Sequence, residues 1–401
     1  MTPAERIFGR TLAGRALRVL GLLLTAAAGG AVWLVSTLAD EATPLSISSD
    51  ATTLKALIDD WAADGAIPGV ILRVDRNGET LYEHASGTLA NGSDTPVTPD
   101  TPFHTASVGK LFTAAAMLRL SERGLVDLDA PVVSYLGRDS LDSFLNINGR
   151  FYGAQVTVRH LLAHRAGFGN TDSDTRFALT VLLNKNKKFT PDELLAIAAR
   201  VPAVGRPGER MSYASPGYYL AGLVLEKVAG RPYHEVVRAE IFDRLGMGAT
   251  VEANAEWDRG SDHLHHYAGR IDLSERDPGF EFADGGFVTT AGDMAIFGQA
   301  IIDGKLFDEA ATARAFTAPW PGDENETFHQ AMGPGVKRVG NRPVLISHRG
   351  YWGVYFLVYP RSQTVVTLTL AQSRADTNAF WSEARPLIEA LDGTDLETGE
   401  T

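Results

Sequence analysis

Three short segments carry side chains able to do covalent chemistry. The first is Ser107-Val108-Gly109-Lys110. On a helix, residues three apart share a face, so this spacing lets the Ser107 hydroxyl and the Lys110 amine touch. A serine alcohol is a weak nucleophile at neutral pH and needs an adjacent base. Lysine can be that base when its ammonium form is disfavoured. Burial disfavours it, and so does the positive end of a helix macrodipole. The apolar run from Leu111 to Leu118 predicts a buried helix over 108–123, and with it an uncharged Lys110 amine. At the start of that helix Ser107 also offers its own N–H to an oxyanion. Ser107 is the one serine in the chain with a lysine three residues on.

The second segment is Tyr213-Ala214-Ser215-Pro216-Gly217. A phenol beside an ammonium has its proton loosened and can pass one to a leaving group. Ser215 can hydrogen-bond substrate or the lysine. The plainer reading is a structural tyrosine in a Pro/Gly turn. The third is His348-Arg349-Gly350-Tyr351, on the edge of a predicted terminal hairpin. A donor on a strand followed by glycine lets substrate come close to the backbone. The Tyr351 N–H would complete an oxyanion hole with the Ser107 N–H. The plainer reading is a surface histidine at a strand start.

Rival chemistries lack their residues. No serine has glycine at both −2 and +2, as a nucleophile elbow requires. His234-Glu235 is followed by Arg238 where a zinc protease needs histidine. His160 and His164 have zinc-like spacing but no third ligand follows, and Asp262-His263-Leu264-His265-His266 reads as a solvated loop. The chain has no cysteine, which removes disulfides, thiol nucleophiles and Fe–S clusters. No metal and no cofactor are expected.

The elements that must position these groups follow from periodicity. Leu54, Leu57, Ile58 and Trp61 have helical spacing and predict a helix over 52–64. Segments 70–75 and 79–84 flank Asn77-Gly78, a two-residue hairpin signal. Segments 351–360 and 364–370 form a second predicted hairpin, followed by a helix over 376–391 that contains Pro386. Helices are expected between them at 158–164, 191–199, 217–229 and 233–245. The fold class is therefore α/β (α+β): an antiparallel sheet made by N- and C-terminal strands and flanked by helices, with a helical region inserted.

Of the 401 residues, 37 are Lys or Arg and 49 are Asp or Glu, a net charge of −12. Such acidity argues against a nucleic-acid partner. The chain begins with a basic segment, 1–18, carrying Arg6, Arg10, Arg15 and Arg18. An uncharged run of 21 residues follows, 19–39. As a helix it would span about 31 Å, enough for a bilayer core. It reads as an uncleaved signal-anchor through the inner membrane, or else a cleaved signal peptide. Either places the remainder on the periplasmic side or outside the cell. A linker at 40–51, a hydrolase domain at 52–391 and a polar tail at 392–401 complete the organisation. Oligomeric state leaves no mark in the sequence.

The three chemistry-bearing segments, in this order, resemble the serine β-lactamase and penicillin-binding-protein superfamily, and more closely its class C β-lactamase-like branch. That branch holds β-lactamases, D-alanyl-D-alanine carboxypeptidases, D-aminopeptidases and esterases. The resemblance covers about residues 52–390 and extends to Phe103-His104-Thr105-Ala106, to 124–132, to the "LLxHxSG"-like stretch within 156–167, to Leu245-Gly246-Met247 and to 284–293. It implies that Ser107 is acylated, that Lys110 and Tyr213 form the general-base pair, and that 348–351 binds substrate. Two departures qualify it. The family's Tyr-x-Asn is Tyr-Ala-Ser here, so Ser215 lacks the amide. Its Lys-Thr-Gly is His-Arg-Gly, and His348 ordinarily carries charge only below about pH 6.5. Both weaken recognition of β-lactams and of D-Ala-D-Ala. The expectation is a serine hydrolase acting through an acyl-enzyme on a small ester, amide or peptide. The alternatives are a β-lactamase or D-Ala-D-Ala carboxypeptidase, and a catalytically silent membrane-tethered sensor. Mass spectrometry of the mature N-terminus checks the anchor: the uncleaved form retains 1–39, and a start near Asp40 refutes it.

Overall fold

The apolar face read at the start of the domain winds α1 (Leu54–Ala63), with Leu54, Leu57, Ile58 and Trp61 all buried. The computed structural model describes residues 51–400 apart from 64, 66, 138–140, 142–144, 259 and 374. Next come β1 (Gly69–Arg76) and β2 (Glu79–Gly87). Asn77 and Gly78 join them at φ of 56° and 80°, the left-handed pair that a tight hairpin turn requires. A short β3 (Phe103–His104) leads through a 3-10 turn, Ala106–Gly109, into α2 (Lys110–Glu122).

The helical insertion includes α3 (Val158–Leu162), α4 (Pro191–Ala198) and α5 (Pro216–Ala229). Thr157 and Thr190 cap α3 and α4 with reciprocal capping boxes, which satisfy otherwise orphaned N–H groups. Then follow β4 (Val251–Glu252), β5 (Phe287–Thr289) and α6 (Ala291–Ile302). The chain closes with β6 (Phe328–Gln330), β7 (Gly335–Val339), β8 (Arg342–Gly350), β9 (Val354–Tyr359), β10 (Thr364–Thr369) and α7 (Thr377–Glu389).

The main sheet runs β6-β7-β8-β9-β10-β1-β2, and a smaller one runs β3-β5-β4. Every main-sheet pair is antiparallel. Strands from the two ends of the domain meet where β1 pairs with β10, with Ile71 opposite Thr369. The expected architecture is thus observed, with one correction. His348 lies on β8, an inner strand, and Tyr351 belongs to the turn between β8 and β9 rather than to a strand.

Alternation along the strands feeds two apolar layers. Val70, Leu72, Val74, Tyr355, Leu357 and Tyr359 pack with α1 and α7. Ile71, Phe356 and Val358 face the other way, with α2, α5 and α6. In register, His348 stands opposite Phe356 and Arg349 opposite Tyr355. His348 therefore shares the face of the helical insertion, and Arg349 turns from it.

Two terminal segments complete the account. Segment 392–401 is polar in composition but does not hang free over its described residues. Leu396 is buried with α1 and α7, and Lys337 Nζ bonds both Glu397 carboxylate oxygens at 2.8 and 2.9 Å. The apolar run 19–39 lies outside the described residues; among those described, no helix is long and apolar enough to cross a membrane.

Trp61 joins α1 to α7. Its ring meets Phe380 edge-on at 4.5 Å between centroids, and its Nε1 donates to Glu383 Oε2 at 3.2 Å. Trp61→Ala removes a fully buried ring and is expected to cost about 3–5 kcal/mol, read as a lower midpoint in denaturant.

Candidate active site

Helix α2 is buried from Lys110 through Leu120, so the turn ahead of it has a rigid foundation. Ser107 sits in the 3-10 turn and not in the first turn of an α-helix, as its spacing had suggested. Ala106, just before it, has φ of 44°, a left-handed conformation that costs energy for any residue with a Cβ. The surroundings hold it there. Thr105 N–H donates to Phe287 O at 2.9 Å, and Thr105 Oγ1 donates to Gly285 O at 2.8 Å. A Cβ on Gly285 would lie 2.3 Å from Ala106 O, and one on Gly350 would lie 2.4 Å from Thr105 O. Gly350 is thus needed so that β8 can press against the nucleophile turn.

Lys110 Nζ lies 3.0 Å from Ser107 Oγ, and it donates to the backbone oxygen of Asp284 at 3.0 Å. It also forms an ion pair with the Asp284 carboxylate through Oδ1. The lysine side chain is wholly buried, and that of Asp284 is 14% exposed. This overturns the uncharged amine. Burial alone pushes the Lys110 pKa down, but the Asp284 carboxylate and then the Tyr213 phenol outweigh it, and the ammonium is held. Asp284 arises from a turn gripped by α2, since Thr113 Oγ1 donates to Ala283 O at 2.7 Å.

Tyr213 brings its ring to 4.9 Å from Lys110 Nζ, and its phenol faces both Lys110 and Ser107. Burial raises the phenol's pKa, Lys110 opposes that, and Asp284 adds to it; the net direction is up. The ring stacks on His164 with centroids 4.2 Å apart. His164 is buried, takes φ of 53° and accepts from Ala214 N–H through Nδ1 at 3.2 Å. Burial, then the charge of Lys110, keep its imidazole neutral far below the usual range. His164 is the floor under Tyr213, a role that its zinc-like spacing from His160 concealed. His160 serves instead in the cap of α3.

Ser215 is buried at the start of α5, and its N–H donates to Asn170 Oδ1 at 3.3 Å. Among the described residues its hydroxyl has no hydrogen-bond partner, so the expected bond to the lysine is not formed. His348 is buried and sits 6.4 Å, centroid to centroid, from Tyr213. Its Nδ1 donates to Arg349 O at 2.9 Å, which leaves Nε2 as an acceptor. Burial first, then Lys110, lower its pKa to about 3. The expected charging below pH 6.5 does not occur. Arg349 places its guanidinium 5.4 Å from the Tyr355 ring, on the opposite face of the sheet. Tyr351 is 61% exposed at the rim. Among the described residues, neither its N–H nor that of Ser107 has a backbone acceptor, so both remain available to an oxyanion.

The histidines of 262–266 are not in a solvated loop. His263 and His266 are buried beside His104, and their rings lie 5.7 and 4.7 Å from it. Trp352 covers His266 at 4.2 Å and donates through Nε1 to buried Glu281 Oε1 at 3.1 Å. Burial, then Asp284, raise the Glu281 pKa to about 8.

An alcohol, an ammonium and a phenol gathered on a rigid turn, with free amides beside them, are the machinery of a serine hydrolase. The model of the Beta-lactamase family matches residues 54–388, and the chain belongs to that family, within the serine β-lactamase and penicillin-binding-protein superfamily. Esterase EstB of Burkholderia gladioli is 31% identical over 220 residues, 54% of this chain and 55% of that protein. Penicillin-binding protein 4* of Bacillus subtilis is 24% identical over 317 residues, 72% of this chain and 63% of that one. The chain thus spans little more than half the length of these relatives. A D-amino acid amidase from Ochrobactrum anthropi SV3, solved with L-phenylalanine amide, superposes with a TM-score of 0.68 at 24% identity, covering 84% and 97% of the two chains. That likeness is one of fold.

The neutral His348 has a measurable consequence. Unfolded, its imidazole takes up a proton near pH 6.5; folded, only near pH 3. Its contribution to stability is present above about pH 6.5 and is lost as pH falls toward 3. His348→Gln carries no such proton. Its melting temperature relative to the parent should therefore rise between pH 7 and pH 4, and an unchanged difference refutes the neutral assignment.

Proposed function

We propose that the protein forms an acyl-enzyme on Ser107 and cleaves small esters or amides that carry no carboxylate near the scissile bond. The observation that carries this reading is the 3.0 Å approach of Lys110 Nζ to Ser107 Oγ with the Tyr213 phenol alongside. Once the Lys110–Tyr213 pair has released one proton to solvent, Ser107 Oγ attacks the carbonyl carbon and its own proton passes into that pair. The Ser107 and Tyr351 amides receive the oxyanion. Tyr213 returns a proton to the leaving oxygen or nitrogen, and water then releases the acyl group.

Charge supports the restriction on substrate. Lys110 is already paired with Asp284, His348 is neutral and Arg349 lies on the other face. None of these three described groups offers a substrate carboxylate a free cation, and a buried unpaired charge is costly. The esterase named among the relatives accords with this. The apolar run 19–39 behind its basic residues supports an exported enzyme, held at the inner membrane or released from it.

A fluorophosphonate probe should label the parent and not Ser107→Ala. p-Nitrophenyl acetate turnover should fall by about a thousandfold or more in that variant. Absent labelling in both would favour a silent sensor. Nitrocefin should be turned over slowly at best; fast turnover defeats the restriction to carboxylate-free substrates.

A further inference from the structure

We propose that Asp284 is a positioning residue that fixes the charge of Lys110 and so sets the pH at which Ser107 becomes open to acylation. The proposal rests on the reading of Ser107 as nucleophile and goes beyond it. Lys110 Nζ has four oxygen neighbours: Ser107 Oγ, the Tyr213 phenol, the Asp284 backbone oxygen and the Asp284 carboxylate. The last two can only accept. Asp284 thus meets the amine twice, by a hydrogen bond to its backbone oxygen and an ion pair with its carboxylate, at the nitrogen that Ser107 and Tyr213 also face. Asp284 sets direction as well as charge.

The other groups around Lys110 do not supply a balancing charge in contact with it. From the approach to α5 come the phenols of Tyr213 and Tyr218, 4.9 and 5.5 Å from Nζ to their ring centroids. His164 after α3 and His348 on β8 are neutral, each kept so first by burial and then by Lys110 itself. Glu281, in the turn before Asp284, has its pKa raised to about 8 by burial and then by Asp284, so it is mostly protonated at pH 7. Asp172 accepts from Asn170 Nδ2 at 2.9 Å; loss of solvation, then Asp284, raises its pKa. Among the described residues, only Asp284 touches the ammonium as a charge of opposite sign.

While that contact holds, Lys110 keeps its third proton and the Lys110–Tyr213 pair is one proton too full to take another from Ser107. The active form arises when the pair releases one proton to solvent. Asp284 opposes that release, because its charge favours the ammonium and disfavours a phenolate. An amide at position 284 retains much of the shape and loses the charge.

The test is the rate of fluorophosphonate labelling of Ser107 between pH 5 and 10 in the full chain, for the parent, Asp284→Asn and Asp284→Glu, with Ser107→Ala as blank. The rising limb in Asp284→Asn should sit at least about one pH unit below that of the parent. Asp284→Glu, which restores a carboxylate, should return most of the way. A limb that stays in place or moves upward in Asp284→Asn overturns the proposal, as does a glutamate variant that moves as far as the amide. The 15Nζ resonance of Lys110 in the unsubstituted chain gives a second reading should the variants not fold. It should remain that of an ammonium through pH 8, and titration below that pH overturns the proposal. A parent chain that fails to label refutes the nucleophile while the resonance still reports on Asp284.

Discussion

The site is organised by a cation with nowhere to go. Lys110 enters the molecule at the first residue of a helix buried on every side, and its side chain is fully removed from water. A lone ammonium there would shed its proton or unfold its surroundings. Asp284 prevents both, and in doing so draws the turn that follows Phe280 against the nucleophile. The groups nearby then follow from that one charge: histidines that stay neutral, a phenol set against the ammonium, and a glutamic acid that keeps its proton. The cleft thus balances its own charge before any substrate enters.

Close backbone approach is the second constraint. Ser107 is presented by a turn in which Ala106 adopts a left-handed conformation, between Gly285 on one side and Gly350 on the other. Gly285 lies in a turn and Gly350 ends β8 where another begins. Each is there because a methyl group would meet a carbonyl oxygen little more than 2 Å away. The turn that carries Ser107 is held by contacts among main chains.

How much of this the sequence discloses depends on distance along the chain. Ser107 and Lys110 are three residues apart and share a helical turn, so their meeting is legible from spacing. The hairpin at Asn77-Gly78 and the buried face of α1 are legible for the same reason. Asp284 lies 174 positions from Lys110, and no local pattern announces that the two touch. The lysine's charge was therefore misjudged: burial and the helix dipole are local, but the carboxylate that overrules them arrives from elsewhere. The charge state of His348 also needed the fold, because it depends on how deeply β8 lies within its sheet. His164 was visible as a residue but not as a platform, since its partner Tyr213 comes from the far side of the insertion. The histidines of 262–266 looked polar in composition, yet ring packing against His104 and Trp352 takes them out of solvent.

The pairing of β1 with β10 joins residues near 71 to residues near 369, and this bears on how the chain is made. During synthesis the first hairpin emerges with one flank of β1 bare, and its partner strand, which sets Thr369 against Ile71, follows only after the whole helical insertion. Neither apolar layer of the sheet can close until then, since both draw on strands from each end. Contacts of such long range are slow to form. The nascent polypeptide must therefore remain open until that strand is made, a condition in which chaperones would find it receptive.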